Sequence, residues 1–277
     1  MASAPAPALQ HDQSDPRPPE FVEALAKGIG ILESFDAAHP EMTLSDIARR
    51  VGLSPAAARR SLITLQALGY VGQTGRRFHL RPKVLTLGSA LFFSAGIGEV
   101  LQPDLRELVE QFGDASSIGT LSGEDVIYIA HSSVQRARRA TATIGAHYPA
   151  YATSLGRVLL AGLRDDELDD YLDRVQPEAL TSKTVTDVSA LRTLILAARA
   201  DGYSTTVDQL DYGITALGVA IKGPDGRTVA ALNTSGYSGM VTPEQLIAER
   251  LPTLQAAAAR IGQAIIRYPI LQSIMGP

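Results

Sequence analysis

Two arginine pairs, Arg59-Arg60 and Arg76-Arg77, carry planar guanidinium forks that fit phosphate oxygens or the O6/N7 edge of guanine. The stretch from Gly145 to Gly156 offers a different chemistry. It sets the hydroxyls of Thr153 and Ser154 and several backbone amides beside a predicted helix start, an arrangement suited to receiving a carboxylate. Next to it, His147 and Tyr148 could hydrogen-bond a phenol or an acid. Each group also has an ordinary explanation: a solvated basic helix face for Arg59 and Arg60, and simple helix capping for the two hydroxyls.

Catalytic constellations are missing from the sequence. The histidines at 11, 39, 79, 131 and 147 include no pair four apart with a glutamate, and no phosphate loop or dinucleotide fingerprint is present. Gly236-Tyr237-Ser238-Gly239 falls one residue out of the nucleophile-elbow pattern. With Cys 0 there is neither a thiolate zinc site nor a disulfide framework, which suits a reducing cytoplasm. No enzyme activity, metal or cofactor is expected. No apolar run reaches the roughly eighteen residues needed to span a bilayer, so a soluble cytoplasmic protein is expected.

The elements that must position the arginines lie in a basic segment. Residues 21–90 hold nine Lys/Arg against five Asp/Glu, whereas 91–277 hold fifteen against twenty-one, within an overall net charge of −4. A small basic module joined to a larger acidic one is the asymmetry expected when only one part meets phosphate. Residues 1–20 read as a disordered arm. Val22, Leu25, Ile29 and Leu32 recur at helical spacing and predict a first amphipathic helix over Phe21–Phe35. Thr43 three residues before Asp46 predicts a capped second helix ended by Gly52. Ser54-Pro55, a favoured N-cap followed by proline at the first helical position, opens a third helix that stops at Gly69.

Together these predict a helix-turn-helix whose second helix enters the major groove. At about 100° per residue, Ala56, Arg60 and Ile63 point outward, with Ala57, Arg59 and Thr64 flanking them. Tyr70-Val71 and Phe78–Leu80 frame a wing hairpin with Arg76 and Arg77 at its tip. The expected DNA contacts are Thr43, Ser54, Ala56, Ala57, Arg59, Arg60, Thr64, Arg76 and Arg77. Arg49 and Arg50 are explained as well by the preference of helix C-termini for cations. The apolar helix Val84–Phe93 has few charges to solvate it and predicts pairing with a second subunit.

Beyond it, Leu101–Phe112 reads as a helix, followed by strands at Ser116–Leu121, Val126–Ala130 and Arg139–Ile144. Helices are predicted at Thr153–Gly162, Asp165–Val175 and Ser189–Asp201. Further strands are predicted at Tyr203–Val207, Ile214–Ile221 and Thr228–Ser235, and a closing helix at Pro243–Ile266. The fold class is α+β: a mostly antiparallel sheet carrying helices, behind a winged helix-turn-helix.

From Phe21 to Ile274 the chain resembles the IclR-type regulators. Phe21–Gly28 and Thr43–Ala48 resemble that family's first two helix signatures. Thr143–Ala161, which reads Thr-Ile-Gly-Ala-His-Tyr-Pro-Ala-Tyr-Ala-Thr-Ser-Leu-Gly-Arg-Val-Leu-Leu-Ala, is very similar to the branch that controls aromatic-acid catabolism, the protocatechuate and 4-hydroxybenzoate regulators. Gly202-Tyr203, Asp208-Gln209, Tyr212-Gly213-Ile214 and Ala230–Asn233 match the same branch.

The resemblance implies a winged helix-turn-helix over 21–82, a linker or dimerisation helix over 83–95, and a GAF-like effector-binding domain over 96–277. It implies a homodimer or tetramer on a palindromic double-stranded operator, and an effector such as 4-hydroxybenzoate or protocatechuate. The implied effector contacts are Thr143, Tyr148, Thr153, Ser154, Leu155, Gly156, Asp208, Leu217, Asn233 and Ser235, with Leu155 and Leu217 as apolar wall. Arg138 and Arg139 are further candidates to neutralise an acid. Two departures border that pocket: Asp208–Tyr212 is one residue short of the branch's usual acidic run, and Ala220-Ile221 replaces its common Pro-Val. The alternatives are a regulator responding to a small 2-oxo acid, a DNA-binding protein that has lost sensing, or an enzyme or metabolite-binding protein acting through the larger domain.

Overall fold

Thr43 starts the helical hairpin of the N-terminal unit. Its hydroxyl accepts the Asp46 backbone N–H at 3.3 Å, while the Asp46 carboxylate accepts the Thr43 N–H at 3.2 Å, so two otherwise orphaned donors are satisfied reciprocally. The computed structural model describes residues 18–36, 38–94, 96–134, 142–268, Leu271 and Met275. These fall into two compact units, Met1–Leu91 and Phe92–Pro277.

In the first unit, α1 (Glu23–Glu33), α2 (Leu44–Arg50) and α3 (Pro55–Ala67) pack with a sheet of β1 (Glu41–Thr43), β2 (Val71–Thr74) and β3 (Arg77–Leu80). The strand order is β1-β3-β2, with Met42 opposite Phe78. Ser54 caps α3 by accepting the Ala57 N–H, and Pro55 stands at its first turn, as expected. Ile31, Ile47, Ala58, Leu62, Val71 and Phe78 form the core.

Two readings are corrected here. The three-residue β1 did not show in the sequence, being too short to alternate. In α1, most of the predicted apolar stripe faces outward: Val22, Leu25 and Ile29 are exposed, Leu32 packs half-buried against the core, and Ile31 is the residue fully buried. A 3₁₀ turn, Pro82–Val84, leads into α4 (Leu85–Ser94), on which Leu85, Leu87 and Leu91 are 72%, 61% and 42% exposed.

The second unit contains α5 (Ile97–Val100), α6 (Gln102–Phe112), β4 (Ala115–Ser122), β5 (Asp125–Ser133), β6 (His147–Pro149), α7 (Ser154–Ala161), α8 (Asp165–Arg174), α9 (Val188–Asp201), β7 (Tyr203–Val207), β8 (Ile214–Lys222), β9 (Thr228–Tyr237) and α10 (Pro243–Ile265). Its strands form one antiparallel sheet, ordered β6-β5-β4-β9-β8-β7. Of the strand expected at Arg139–Ile144, residues 139–141 lie outside the described ones; Thr143 sits in a turn, and the edge strand is β6 just beyond it.

Both sheet faces are covered. On one, Ile118, Leu217, Val219 and Leu232 pack with Leu105 and Leu108 of α6 and Leu254 and Ile261 of α10. On the other, Val126, Tyr128 and Ala231 pack with Leu155 and Val158 of α7, Leu168 of α8 and Ile195 of α9. Each fully buried aliphatic side chain contributes roughly 1.5–3 kcal/mol. Helix α7 lies close to the chain before it: a Cβ on Gly156 would stand 2.1 Å from the Ala150 carbonyl oxygen, so this position of the motif must be glycine.

Candidate DNA-binding and effector sites

Helix α3 presents Ala56, Arg59, Arg60 and Thr64 to solvent, with Ala57 half-buried. Ala58, Leu62 and Leu65 anchor its inner face, which fixes the outward direction of the arginines. Among the described residues no carboxylate lies within ion-pair distance of Arg59 or Arg60. The Ser54 and Thr43 hydroxyls are engaged as helix caps, and the Thr64 hydroxyl donates to the Arg60 carbonyl at 3.2 Å. Arg76 occupies the exposed wing turn. Arg77, expected beside it at the tip, is instead the first residue of β3, tethered by a 3.4 Å hydrogen bond to the Glu41 carbonyl.

The α2 arginines are already partnered. Arg49 pairs with Asp46 at 3.4 Å; Arg50 donates to the Ser34 carbonyl at 2.8 Å and pairs with Asp36. Burial works against the Asp36 charge, yet hydrogen bonds from the ring and backbone of His39, with the Arg50 guanidinium beside them, hold its carboxyl below the usual range.

In the second unit the register places five residues in one row across the sheet. Ser204 pairs with Gly218, Gly218 with Asn233, Asn233 with Ser117, and Ser117 with His131. All five side-chain positions project to the α7 side, because paired residues share a face. The start of α7 rests on this row: a Cβ at Gly218 would meet the Ser154 carbonyl oxygen at 2.8 Å.

Thr153 caps α7 by accepting the Gly156 N–H at 2.9 Å. The Ser154 hydroxyl, on a residue only 1% exposed, has no hydrogen-bond partner among the described residues. Asn233 accepts the Ser117 N–H at 3.0 Å, and the Ser117 hydroxyl stands 2.9 Å from Nδ1 of His131. Nε2 of His131 is shielded from solvent and unpartnered among the described residues. Tyr128 and Tyr148 meet edge-on with ring centroids 5.0 Å apart. Burial pushes both phenols up; for Tyr128 the neighbouring Tyr148 adds to this and a hydrogen bond with Asn233 opposes it.

The predicted effector residues therefore divide. Thr153, Ser154, Leu155 and Gly156 come together at the start of α7, with Asn233, Ser235 and Tyr148 on the same sheet face. Leu217 does not join them: it is Gly218, one residue on, that faces α7, while Leu217 packs in the opposite core beneath α10. Thr143 lies exposed in the turn closed by its carbonyl and the Ala146 N–H at 3.1 Å.

Asp208 adopts φ +53°, the one left-handed non-glycine among the described residues. Its carboxylate accepts the Gly213 N–H at 2.7 Å and the Ser238 hydroxyl at 2.8 Å, so its charge holds the β7–β8 connection. Arg138 and Arg139 lie outside the described residues.

Sequence reasoning missed Ser117, Tyr128, His131 and Arg157. Arg157 is 1% exposed, donates to the Tyr151 carbonyl at 3.1 Å and to the Gln209 side chain, and has no carboxylate within ion-pair distance among the described residues. Burial brings it down to about 10. A cleft of about 550 Å³ opens elsewhere, between the ends of α7 and α9, the β8–β9 turn and α10. Its walls are largely Gly and Ala, and its cations are engaged: Arg199 by Asp165 and two carbonyls, Lys222 by Thr228. Among the described residues no group of three His, Asp or Glu side chains is placed to hold a metal.

A basic recognition helix with its wing on one unit, and a polar sheet face under a helix start on the other, define a transcription regulator with a DNA-binding and an effector-binding domain. The chain belongs to the IclR family: residues 24–75 match the IclR helix-turn-helix domain, and residues 90–263 match the bacterial transcriptional regulator IclR C-terminal domain. It is 37% identical to the Pca regulon regulatory protein of Pseudomonas putida, over 93% of this chain and 88% of that one. It is 31% identical to the p-hydroxybenzoate hydroxylase transcriptional activator of Acinetobacter baylyi, over 90% and 93%. A solved transcriptional regulator from Rhodococcus sp. RHA1 superposes with a TM-score of 0.73 at 41% identity, covering 89% of this chain and 99% of that one.

Proposed function

We propose that the protein controls an aromatic-compound catabolic operon, with an aromatic acid of the 4-hydroxybenzoate or protocatechuate kind as its effector. The observation that carries this reading is the buried, unpartnered Ser154 hydroxyl at the start of α7, above the Gly218–Asn233 row. A helix N-terminus with a free hydroxyl suits a carboxylate, and the Tyr128–Tyr148 pair on the same face suits an aromatic ring. The Acinetobacter relative's name, an activator of a p-hydroxybenzoate hydroxylase, supports a compound of the same class.

The DNA contacts are assigned to Ala56, Ala57, Arg59, Arg60 and Thr64 of α3, with Thr43, Ser54, Arg76 and Arg77 around them. Arg59 and Arg60 read base edges or phosphates, and Arg76 and Arg77 hold the backbone. The protein acts as a homodimer or tetramer on a palindromic operator, a second copy covering the exposed leucines of α4. It works in the cytoplasm, through binding rather than turnover; no helix of the described residues is long and apolar enough to cross a membrane.

The test is calorimetric titration of the purified protein with benzoate, 4-hydroxybenzoate, protocatechuate, glyoxylate and pyruvate, followed by operator binding with and without the ligand that binds. Selective binding of an aromatic acid that changes operator affinity is the expected result. Binding of a 2-oxo acid alone would overturn the aromatic reading and leave the DNA-binding reading standing.

A further inference from the structure

Strand β5 should alternate its side chains across the sheet, yet Tyr128 and His131, an odd number of residues apart, face the same side. The cause is a register shift: Ile118 pairs with Ala130 but Gly119 with Tyr128, leaving Ile129 as an extra residue. Such a bulge re-aims side chains where a ligand is met. Here it puts Tyr128 and His131 on the α7 face, His131 in register with the Ser117–Asn233 pairing and Tyr128 level with Gly119, while Ile129 and Ala130 stay in the opposite core.

We propose that Ser117, His131 and Asn233 form the distal, hydroxyl-reading end of the effector site, opposite the carboxylate-receiving start of α7. This rests on the aromatic-acid reading and specifies which ring substituent the site selects. Gly218, beneath Ser154, is separated from His131 by three strand spacings, about 14 Å. That span accommodates one aromatic ring with a hydrogen bond of about 3 Å at each end.

Ser117 fixes one ring nitrogen of His131 and leaves Nε2 to the ligand. Whichever tautomer Ser117 selects, Nε2 either donates to or accepts from a hydroxyl, and a hydroxyl serves both roles. Burial pushes the imidazole down, so it stays neutral at neutral pH, as a reader of an uncharged phenol requires. Asn233, whose Oδ1 is taken by the Ser117 N–H, is also hydrogen-bonded to the Tyr128 hydroxyl, and so ties the Ser117 and Tyr128 sides of this region together. Ser117 is a positioning residue; His131 is the group that touches the hydroxyl.

The experiment is calorimetric titration of the full chain with benzoate and with 4-hydroxybenzoate, in the wild type, His131→Phe and Ser117→Ala. The wild type is expected to prefer 4-hydroxybenzoate. His131→Phe should weaken 4-hydroxybenzoate about tenfold or more, the scale of one buried hydrogen bond, and leave benzoate within about threefold. Ser117→Ala, which removes only a hydroxyl, should lower the preference several-fold and keeps the test open if His131→Phe does not fold. An unchanged preference in both variants, or no preference in the wild type, would overturn the inference while leaving the aromatic reading intact. Failure of the wild type to bind either acid overturns the inference, and failure to bind protocatechuate as well overturns the aromatic reading with it.

Discussion

The carbonyl of Ser154 lies over Gly218, so close that a Cβ on residue 218 would stand 2.8 Å from it. Helix α7 and strand β8 are thus in backbone contact, and the helix start proposed to receive the effector is held at a height set by the absence of a side chain. Gly218→Ala should lift α7 and cost about 1–3 kcal/mol by overpacking. Thermal unfolding reads the stability loss, and the same variant should lose the stabilisation that the effector gives the wild type.

Arg59 and Arg60 make no ion pair among the described residues, so replacing them should leave the fold alone. Arg59→Ala/Arg60→Ala is predicted to keep the wild-type melting temperature within about 2 °C, since exposed substitutions shift stability by no more than ~0.5 kcal/mol. Operator affinity should fall at least tenfold. Repeating the anisotropy titration at several salt concentrations should show a log–log slope shallower by about one for each phosphate no longer neutralised. Full-strength operator binding would contradict the recognition-helix assignment.

Arg250 of α10 pairs with Asp114 at 2.9 Å and bonds Thr234 at 3.1 Å, all three buried, and lies 5.0 Å over the half-buried Phe112 ring. Removing one partner strands the other charge. Asp114→Ala is expected to destabilise the second unit by about 3–5 kcal/mol, read by denaturant unfolding.

His131 sets a pH dependence. Its folded pKa is lowered by burial, so below the ordinary histidine value of about 6.5 the unfolded chain binds more protons than the folded one. Stability contributed by this group is complete above that value and is lost as pH falls through the folded pKa. The melting temperature should drop between pH 7.5 and 5.5, and His131→Gln should flatten that drop. An identical slope in the variant would contradict the assignment.

Where the chain announces its own geometry, reading it worked. Thr43 with Asp46 and Ser54 with Pro55 are local devices, and the caps they predict are present. The α+β organisation and the helix-turn-helix followed from periodicity and turn residues. The α7 start was legible from Thr153 and Gly156.

Leu217 was misplaced because β8 is buried on both faces. Ala216-Leu217-Gly218-Val219-Ala220 shows no polar alternation, so nothing in it tells which residues look toward α7. The β5 bulge is equally silent, since an extra residue in a strand leaves no compositional mark; His131, Tyr128 and Ser117 became partners only through pairing. Arg157 was hidden because its burial depends on Tyr151 and Gln209, the latter fifty-two residues away.

Asn233 and Thr234 are neighbours on β9, yet Asn233 looks toward the α7 side, where the effector site is proposed, and Thr234 toward the Arg250–Asp114 pair. Each strand therefore interleaves two sets of positions under different selective demands. If the proposed site is the effector's, substitutions at one set retune which small molecule is sensed, those at the other alter how firmly the domain holds together, and a lineage can change diet along the first without drawing on the second.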